Sequence, residues 1–251
     1  MLHHRIEGTG PIVLFIHGFA LDARMWSPQV AALSATYRVV VVDLPSFGPA
    51  AVDVGEQTAA RALIEVLDTI GDDPVHVVGL SLGGAVATDL ALAFKARVRS
   101  LTLIDGLLRG RPTGIKKWAE AAAHAKAGDL DAARAAWLDD DLFATARARP
   151  EVLTTLKRMA SDYAGDHWRD LATTRFDVAD PAAQLGEVDV PALVIVGERD
   201  LPAFRAMADE YATALPHATL EVVEGAGHLA NLEAPDRVNA LLARFLGESK
   251  A

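Results

Sequence analysis

Short runs of β-branched and other apolar residues recur along this 251-residue chain and alternate with stretches of helical periodicity. The runs are Ile12 to Ile16, Tyr37 to Val42, Val75 to Val78, Val98 to Ile104, Leu193 to Val196 and Leu220 to Val223. Continuous apolar runs of this length are typical of parallel strands that are buried on both faces. The alternation therefore predicts an α/β fold with a mostly parallel, doubly wound sheet.

The alternation stops after Asp105, where roughly 80 residues carry helical patterning without a convincing strand. We expect residues 1–105 and 191–251 to form the α/β core and residues 106–190 to form a helical cap or lid inserted into it. The insertion holds a large share of the aromatic residues: Trp118, Trp137, Phe143, Tyr163, Trp168 and Phe176. We expect most of these rings to form a small core of the insertion, and the alternative is that they line a pocket.

Composition limits the classes of function. A formal net charge of −10 argues against a nucleic-acid partner, because phosphate binding draws on clustered Lys and Arg. With no cysteine, the chain has no disulfide, no thiolate nucleophile and no thiolate metal site. The sequence shows neither a signal-like apolar segment near its start nor an apolar run of membrane-spanning length. We therefore expect a cytoplasmic protein without a membrane partner, and a homo-oligomer is left open.

A glycine-flanked serine follows the third apolar run, in the segment Gly79-Leu80-Ser81-Leu82-Gly83. This G-x-S-x-G pattern between a strand and a helix is typical of a nucleophile elbow, a tight turn that exposes the serine hydroxyl. The alternative is a glycine-rich turn that holds an incidental serine. A serine hydroxyl is a weak nucleophile in water, so catalysis by Ser81 requires a neighbouring base.

Two further polar residues follow later runs. Asp200 comes shortly after the fifth run, and His228 comes shortly after the sixth. The carboxyl ends of parallel strands meet at one edge of the sheet, so both side chains can converge on Ser81. In such a triad His228 is the general base, and Asp200 fixes its tautomer and stabilises the imidazolium. Taken singly, a histidine after a strand is more often a hydrogen-bonded structural residue, and an aspartate in such a turn more often forms an Asx-turn or a helix cap.

Acyl transfer also requires hydrogen-bond donors for the oxyanion that develops in the transition state. The turn His17-Gly18-Phe19 directly follows the first apolar run, and Leu82 follows the predicted nucleophile. The pattern predicts the backbone N–H groups of Phe19 and Leu82 as the two donors. We expect His17 itself to be structural.

Several motifs together resemble the α/β-hydrolase superfamily. They are Phe15-Ile16-His17-Gly18-Phe19, Asp43-Leu44-Pro45-Ser46-Phe47-Gly48, Gly79 to Gly84, Gly197 to Asp200 and Gly227-His228. The chain is most similar to the esterase and lactonase branch, which includes 3-oxoadipate enol-lactonase-like proteins. The short stretch before Ile12 leaves room for one edge strand, so we expect fewer strands than the eight of the family. Because some members draw the triad acid from the strand end where Asp105 lies, Asp105 is an alternative to Asp200.

The resemblance implies a serine hydrolase that cleaves small carboxylic esters or lactones through an acyl-enzyme on Ser81. Its partners are the small-molecule substrate and water, and neither a cofactor nor a metal is expected. The alternatives are a C–C bond hydrolase or a perhydrolase on the same triad, or a ligand-binding protein of low turnover. Basic residues that open the insertion could favour an anionic lactone, although a solvated role is expected for them: Arg109, Arg111, Lys116 and Lys117.

Overall fold

A computed structural model describes residues 1–249 of the chain. Its strands are β1 (His4–Glu7), β2 (Ile12–Ile16), β3 (Arg38–Val42), β4 (Val75–Leu80), β5 (Val98–Ile104), β6 (Ala192–Gly197) and β7 (Ala218–Val223). They form one sheet in the order β1-β3-β2-β4-β5-β6-β7. Only β1 runs antiparallel to its neighbour β3, and the other neighbours are parallel. The α/β fold class is confirmed, and the described residues hold seven strands, one fewer than the eight of the family.

Helices cover both faces of the sheet. They are α1 (Ser27–Leu33), α2 (Ala59–Asp68), α3 (Leu82–Ala93), α4 (Trp118–Lys126), α5 (Leu130–Leu138), α6 (Ala144–Arg147), α7 (Pro150–Asp162), α8 (Pro202–Ala214), α9 (Ala230–Glu233) and α10 (Pro235–Glu248). Because both faces are covered, every residue of β2, β4 and β6 is buried, which explains why these strands read as continuous apolar runs. Among the described residues no helix is both long and apolar enough to span a membrane.

Residues 106–190, here called the helical segment, connect β5 to β6 and include α4 to α7 without a strand among them. Asp89, which is buried in α3, anchors the end of the segment by accepting hydrogen bonds from the backbone N–H groups of Asp177 (2.9 Å) and Val178 (2.8 Å). Burial raises the pKa of the Asp89 carboxyl, although the two hydrogen bonds act in the opposite direction and lower it. The division into residues 1–105 and 191–251 against residues 106–190 stays a prediction, and residues 250 and 251 lie outside the described part of the chain.

The aromatic rings of the helical segment pack both against one another and against rings of the sheet's turns. The ring of Trp137 lies 5.5 Å from that of Phe143 and 6.1 Å from that of Trp168. The ring of Phe19, in the turn after β2, lies between 4.7 and 5.8 Å from the rings of Trp118, Trp137, Tyr163, His167 and Trp168. Phe47, after β3, stacks on His167 at 4.2 Å. The rings of the segment thus cluster as expected for most of them, but the cluster also includes Phe19 and Phe47 of the sheet's turns and is not separate from the α/β core.

Candidate active site

Ser81 lies in the turn between β4 and α3 with φ 52° and ψ −116°, a region that residues with a side chain rarely adopt. The end of β5 and the residues that follow it hold this turn. The Ser81 N–H donates to the carbonyl oxygen of Ile104 (3.1 Å), and the Ser81 carbonyl accepts from the N–H of Leu107 (3.1 Å). A Cβ atom at position 83 would lie 2.1 Å from the carbonyl oxygen of Ile16, so only glycine allows α3 to begin so close to β2. Such a sharp, over-determined turn is the geometry expected of a nucleophile elbow.

His228 and Asp200 are hydrogen-bonded to each other. The Nδ1 atom of His228 lies 2.9 Å from Oδ2 and 3.1 Å from Oδ1 of Asp200. The two side chains are 2% and 0% exposed. The turn after β6 and the loop after β7 can meet because residue 197 is glycine: a Cβ atom there would lie 2.1 Å from the carbonyl oxygen of Gly227. The structure therefore brings together the predicted base and the predicted acid.

Ser81 and His228 line the same cavity at the carboxyl edge of the sheet, with a volume of about 280 Å³. Among the described residues, no hydrogen bond joins the Ser81 hydroxyl to the His228 imidazole. Contacts between nucleophile and base are often long before substrate binds and shorten in the reactive complex. The shared cavity leaves the two groups available to one bound substrate.

Asp105, the alternative acid, has different partners. Its Oδ1 accepts from the N–H of Gly197 (2.8 Å), and its Oδ2 accepts from the N–H of Ala230 (3.1 Å). Complete burial and the nearby carboxylates of Asp200 and Glu233 raise the pKa of Asp105 well above its usual value. Asp105 thus ties β5 to the two turns that carry Asp200 and His228, without contacting the imidazole itself.

The turn after β2 lies directly against the elbow. A Cβ atom at Gly18 would come within 3.4 Å of the Ser81 Cβ. Within residues 1–249 the Phe19 N–H has no acceptor. Leu82 is the first residue of α3, where a helix leaves its N–H groups without an intrahelical partner. The two predicted donors therefore lie next to Ser81 with N–H groups available.

His17 is held inside the protein by both of its ring nitrogens. Nδ1 donates to the carbonyl oxygen of Gly18 (2.7 Å), and Nε2 accepts from the N–H of Leu44 (2.9 Å). Complete burial lowers the pKa of His17, which favours the neutral imidazole that these two hydrogen bonds require. This arrangement supports a structural role, in which His17 connects the turn after β2 to the turn after β3.

The walls of the cavity are apolar and largely aromatic. The larger lining residues are Phe19, Trp118, Trp137, Leu142, Phe143 and Phe204. Besides Ser81 and His228, the polar side chain in the described lining is that of Thr113, and no Asp, Glu, Lys or Arg side chain takes part. Thr113 and Leu142 were missed at the level of sequence, because a helical pattern alone does not indicate which residues of an insertion face the core.

The four basic residues that open the helical segment have partners away from the cavity. Arg109 donates to the carbonyl oxygen of Val178, and its guanidinium lies 4.0 Å from the centre of the Phe176 ring. The other three pair with carboxylates on the surface: Arg111 with Glu210 (2.6 Å), Lys116 with Asp141 (2.7 Å) and Lys117 with Glu120 (2.9 Å). None of the four supplies a positive charge to the cavity.

The fold and the site together define an α/β hydrolase. Residues 13–241 match the model of the Alpha/beta hydrolase family, and the chain belongs to this family. Over 98% of the chain and 90% of the relative, it is 31% identical to a protein of Dechloromonas aromatica named 2-hydroxy-6-oxononadienedioate/2-hydroxy-6-oxononatrienedioate hydrolase 1. It also resembles two solved structures. A thermophilic esterase from Thermogutta terrifontis is 27% identical with a TM-score of 0.82, over 100% of this chain and 94% of that one. An enol-lactonase from Burkholderia xenovorans LB400 is 27% identical with a TM-score of 0.79, over 98% of this chain and 96% of that one.

Proposed function

We propose that the protein is a serine hydrolase that cleaves small, uncharged carboxylic esters, or uncharged lactones, through an acyl-enzyme on Ser81. The observation that carries this proposal is the convergence of Ser81 and the His228–Asp200 pair on one apolar cavity. Serine in the elbow favours acyl chemistry, because its hydroxyl becomes a nucleophile once a neighbouring base accepts its proton.

In the proposed reaction, Nε2 of His228 takes the proton of the Ser81 hydroxyl while Oγ attacks the carbonyl carbon of the ester. The oxyanion that forms accepts hydrogen bonds from the N–H groups of Phe19 and Leu82. The imidazolium then protonates the leaving alcohol, and the C–O bond breaks. Water, deprotonated by His228, then attacks the carbonyl carbon of the acyl-enzyme. The bond between that carbon and Oγ of Ser81 breaks, the imidazolium returns its proton to Oγ, and the carboxylic acid is released. Asp200 holds the Nδ1–H tautomer throughout and stabilises the imidazolium.

The lining of the cavity supports an uncharged substrate. A substrate carboxylate would lose its hydration on entering the cavity, and the described walls carry no Lys or Arg to pair with it. Burial of an unpaired charge is costly in free energy. An apolar acyl group instead gains from burial against the aromatic walls. We therefore favour neutral esters over an anionic enol-lactone.

C–C bond hydrolysis is the second candidate, because the Dechloromonas aromatica relative carries such a dienedioate name and the same triad can serve that chemistry. That name describes a substrate with two carboxylates, for which the described lining offers no Lys or Arg. This difference ranks ester hydrolysis first.

Covalent labelling combined with turnover tests the proposal. Wild-type protein should hydrolyse p-nitrophenyl butyrate and take up one fluorophosphonate at Ser81, as located by peptide mass spectrometry. Ser81→Ala should lose both properties, whereas Ser161→Ala, which removes an exposed serine of α7, should keep them. Full turnover by Ser81→Ala, or labelling at another serine, would refute the assignment. Labelling at Ser81 without turnover of any neutral ester would favour a ligand-binding protein.

A further inference from the structure

We propose that Glu233, Arg149 and Thr145 form a clamp that positions His228, so that the helical segment holds the general base in place and does not only shape the cavity. The inference rests on the proposed function, in which His228 is the general base. Neither Glu233 nor Arg149 lines the cavity. Both are therefore positioning residues that act through the backbone of the His228 loop.

The Glu233 carboxylate brackets His228 from both sides along the chain. Its Oε2 accepts from the N–H of Gly227 (3.0 Å), and its Oε1 accepts from the N–H of Leu229 (3.3 Å). The side chain is fully buried. One carboxylate thus fixes the backbone immediately before and immediately after the histidine.

The helical segment supplies the other half of the clamp. Arg149, the residue before α7, donates from Nη1 to Oε2 of Glu233 (2.8 Å) and from Nη2 to the carbonyl oxygen of Gly225 (2.8 Å). Thr145 of α6 donates from Oγ1 to Oε1 of Glu233 (3.1 Å). Packing here is close: a Cβ atom at Gly227 would lie 1.9 Å from the Thr145 hydroxyl. Each carboxylate oxygen therefore binds one backbone donor of the loop and one donor of the segment.

Charge explains why the clamp should matter for the orientation of His228. A buried carboxylate is stable only when it is paired and hydrogen-bonded. Without the Arg149 guanidinium, Glu233 would have to move towards water, and the N–H groups of Gly227 and Leu229 would move with it or lose their acceptor. A displacement of about 1 Å in a reacting group can cost roughly a hundredfold in rate.

The His228 loop is also held by other hydrogen bonds, which should keep it folded when the clamp is removed. The Ala230 N–H donates to Asp105 (3.1 Å), and the Ala226 carbonyl accepts from the N–H of Arg199 (2.8 Å). Loss of the clamp is thus expected to change the orientation of the His228 imidazole without unfolding the loop. This separates a positioning role from a purely structural one.

The test compares three changes in the clamp with a control elsewhere in the helical segment. Arg149→Met keeps an apolar stem of similar length without the charge, Arg149→Lys keeps the charge, and Thr145→Val removes one hydroxyl. Arg158→Met, on the exposed side of α7, is the control. With p-nitrophenyl butyrate, Arg149→Met should lower kcat by about 10- to 100-fold with KM within about twofold. Arg149→Lys should recover part of the loss, Thr145→Val should lower kcat by about three- to tenfold, and the control should match wild type.

Failure of the clamp is distinguishable from failure of the proposed function. If wild type hydrolyses the ester, Ser81→Ala does not, and Arg149→Met keeps kcat within about twofold, the clamp is wrong and the triad stands. An Arg149→Met variant whose KM rises while its kcat is unchanged would likewise overturn the clamp. If Arg149→Met does not fold, Thr145→Val decides, and an unchanged kcat in that variant refutes the clamp. If Ser81→Ala retains full turnover, the proposed function itself fails.

Discussion

The imidazole of His228 donates from Nδ1 to the carboxylate of Asp200, 2.9 Å from Oδ2, and both side chains are almost completely excluded from solvent. The hydrogen bond to a carboxylate places the proton on Nδ1 and leaves Nε2 as the basic nitrogen. Asp105, a second buried acid close by, directs both of its oxygens to backbone N–H groups. The two acids should therefore differ sharply in their effect on turnover.

Asp200→Asn is expected to lower kcat by about 10⁴-fold, because an amide at this position favours the wrong imidazole tautomer, by analogy with serine protease triads. The loss of kcat in Asp105→Asn should be at least a hundredfold smaller, since the Asp105 carboxylate binds backbone N–H groups and not the imidazole ring. Steady-state kinetics on purified, folded variants measures both. A larger loss in the Asp105 variant would reverse the assignment of the acid.

Backbone strain at Ser81 predicts a gain in stability when function is removed. At φ 52° and ψ −116° a side chain costs on the order of 1–3 kcal/mol, whereas glycine adopts this region freely. Ser81→Gly should therefore raise the free energy of unfolding by about 1 kcal/mol, after the entropy that glycine adds to the unfolded chain, and abolish turnover. Denaturant unfolding followed by circular dichroism measures this change. A variant less stable than wild type would show that the hydroxyl or Cβ contributes to packing.

A half-buried histidine, His167, predicts how stability depends on pH. His167 stacks on Phe47, and its Nδ1 lies 3.0 Å from the Tyr163 hydroxyl. Burial lowers the pKa of His167 from 6.5 to about 4. Between these values the unfolded chain binds a proton that the folded protein does not, so the free energy of unfolding falls as the pH drops from 6.5 to 4. The contribution of His167 to this change is at most about 3 to 4 kcal/mol.

His167→Phe should remove this share while keeping the stack on Phe47. The measurement is urea unfolding at a series of pH values, with His217→Gln as the control, because His217 is exposed beside Asp189. The pH dependence should flatten in the first variant and stay as in wild type in the second. Equal curves for wild type and His167→Phe would show that the pKa of His167 is the same in the folded and the unfolded protein.

Much of the sheet could be predicted from sequence because β2, β4 and β6 are buried on both faces and read as continuous apolar runs. The edge strand β7 was predicted to begin at Leu220 but begins at Ala218. Its Thr219 and Glu221 lie on a partly solvated edge, so the apolar signal is interrupted there.

The parts of the candidate site in which backbone geometry requires particular residues could be predicted from sequence. The parts in which tertiary packing determines the neighbours of a side chain could not. The elbow, the turn after β2 and the polar residues after β6 and β7 all lie at strand ends, whose convergence follows from a parallel sheet. The partners of Glu233 could not be anticipated, since Thr145 and Arg149 are over 80 residues away in sequence. The packing of the helical segment, which places Trp118 and Leu142 against the cavity, likewise depends on tertiary contacts.

The size of the cavity predicts a limit on acyl length. About 280 Å³ lies just below the range of roughly 300–1,000 Å³ that is common for ligand sites. Each buried CH₂ contributes about 0.8 kcal/mol, or close to a fourfold gain in kcat/KM. From p-nitrophenyl acetate to butyrate kcat/KM should therefore rise, and with octanoate it should fall because the chain no longer fits.

Trp118 provides the way to test whether the cavity wall sets that limit. Its side chain lines the cavity while 40% of the residue is exposed, which places it at the mouth. Trp118→Ala should shift the preferred ester towards octanoate, whereas Leu171→Ala, which truncates a residue 70% exposed in the same helical segment, should leave the profile unchanged. An anionic enol-lactone should react poorly with all three proteins, since the described lining offers its carboxylate no cation. A hundredfold preference of wild type for that lactone over the best neutral ester, about 2.7 kcal/mol in transition-state binding, would overturn the choice of substrate class.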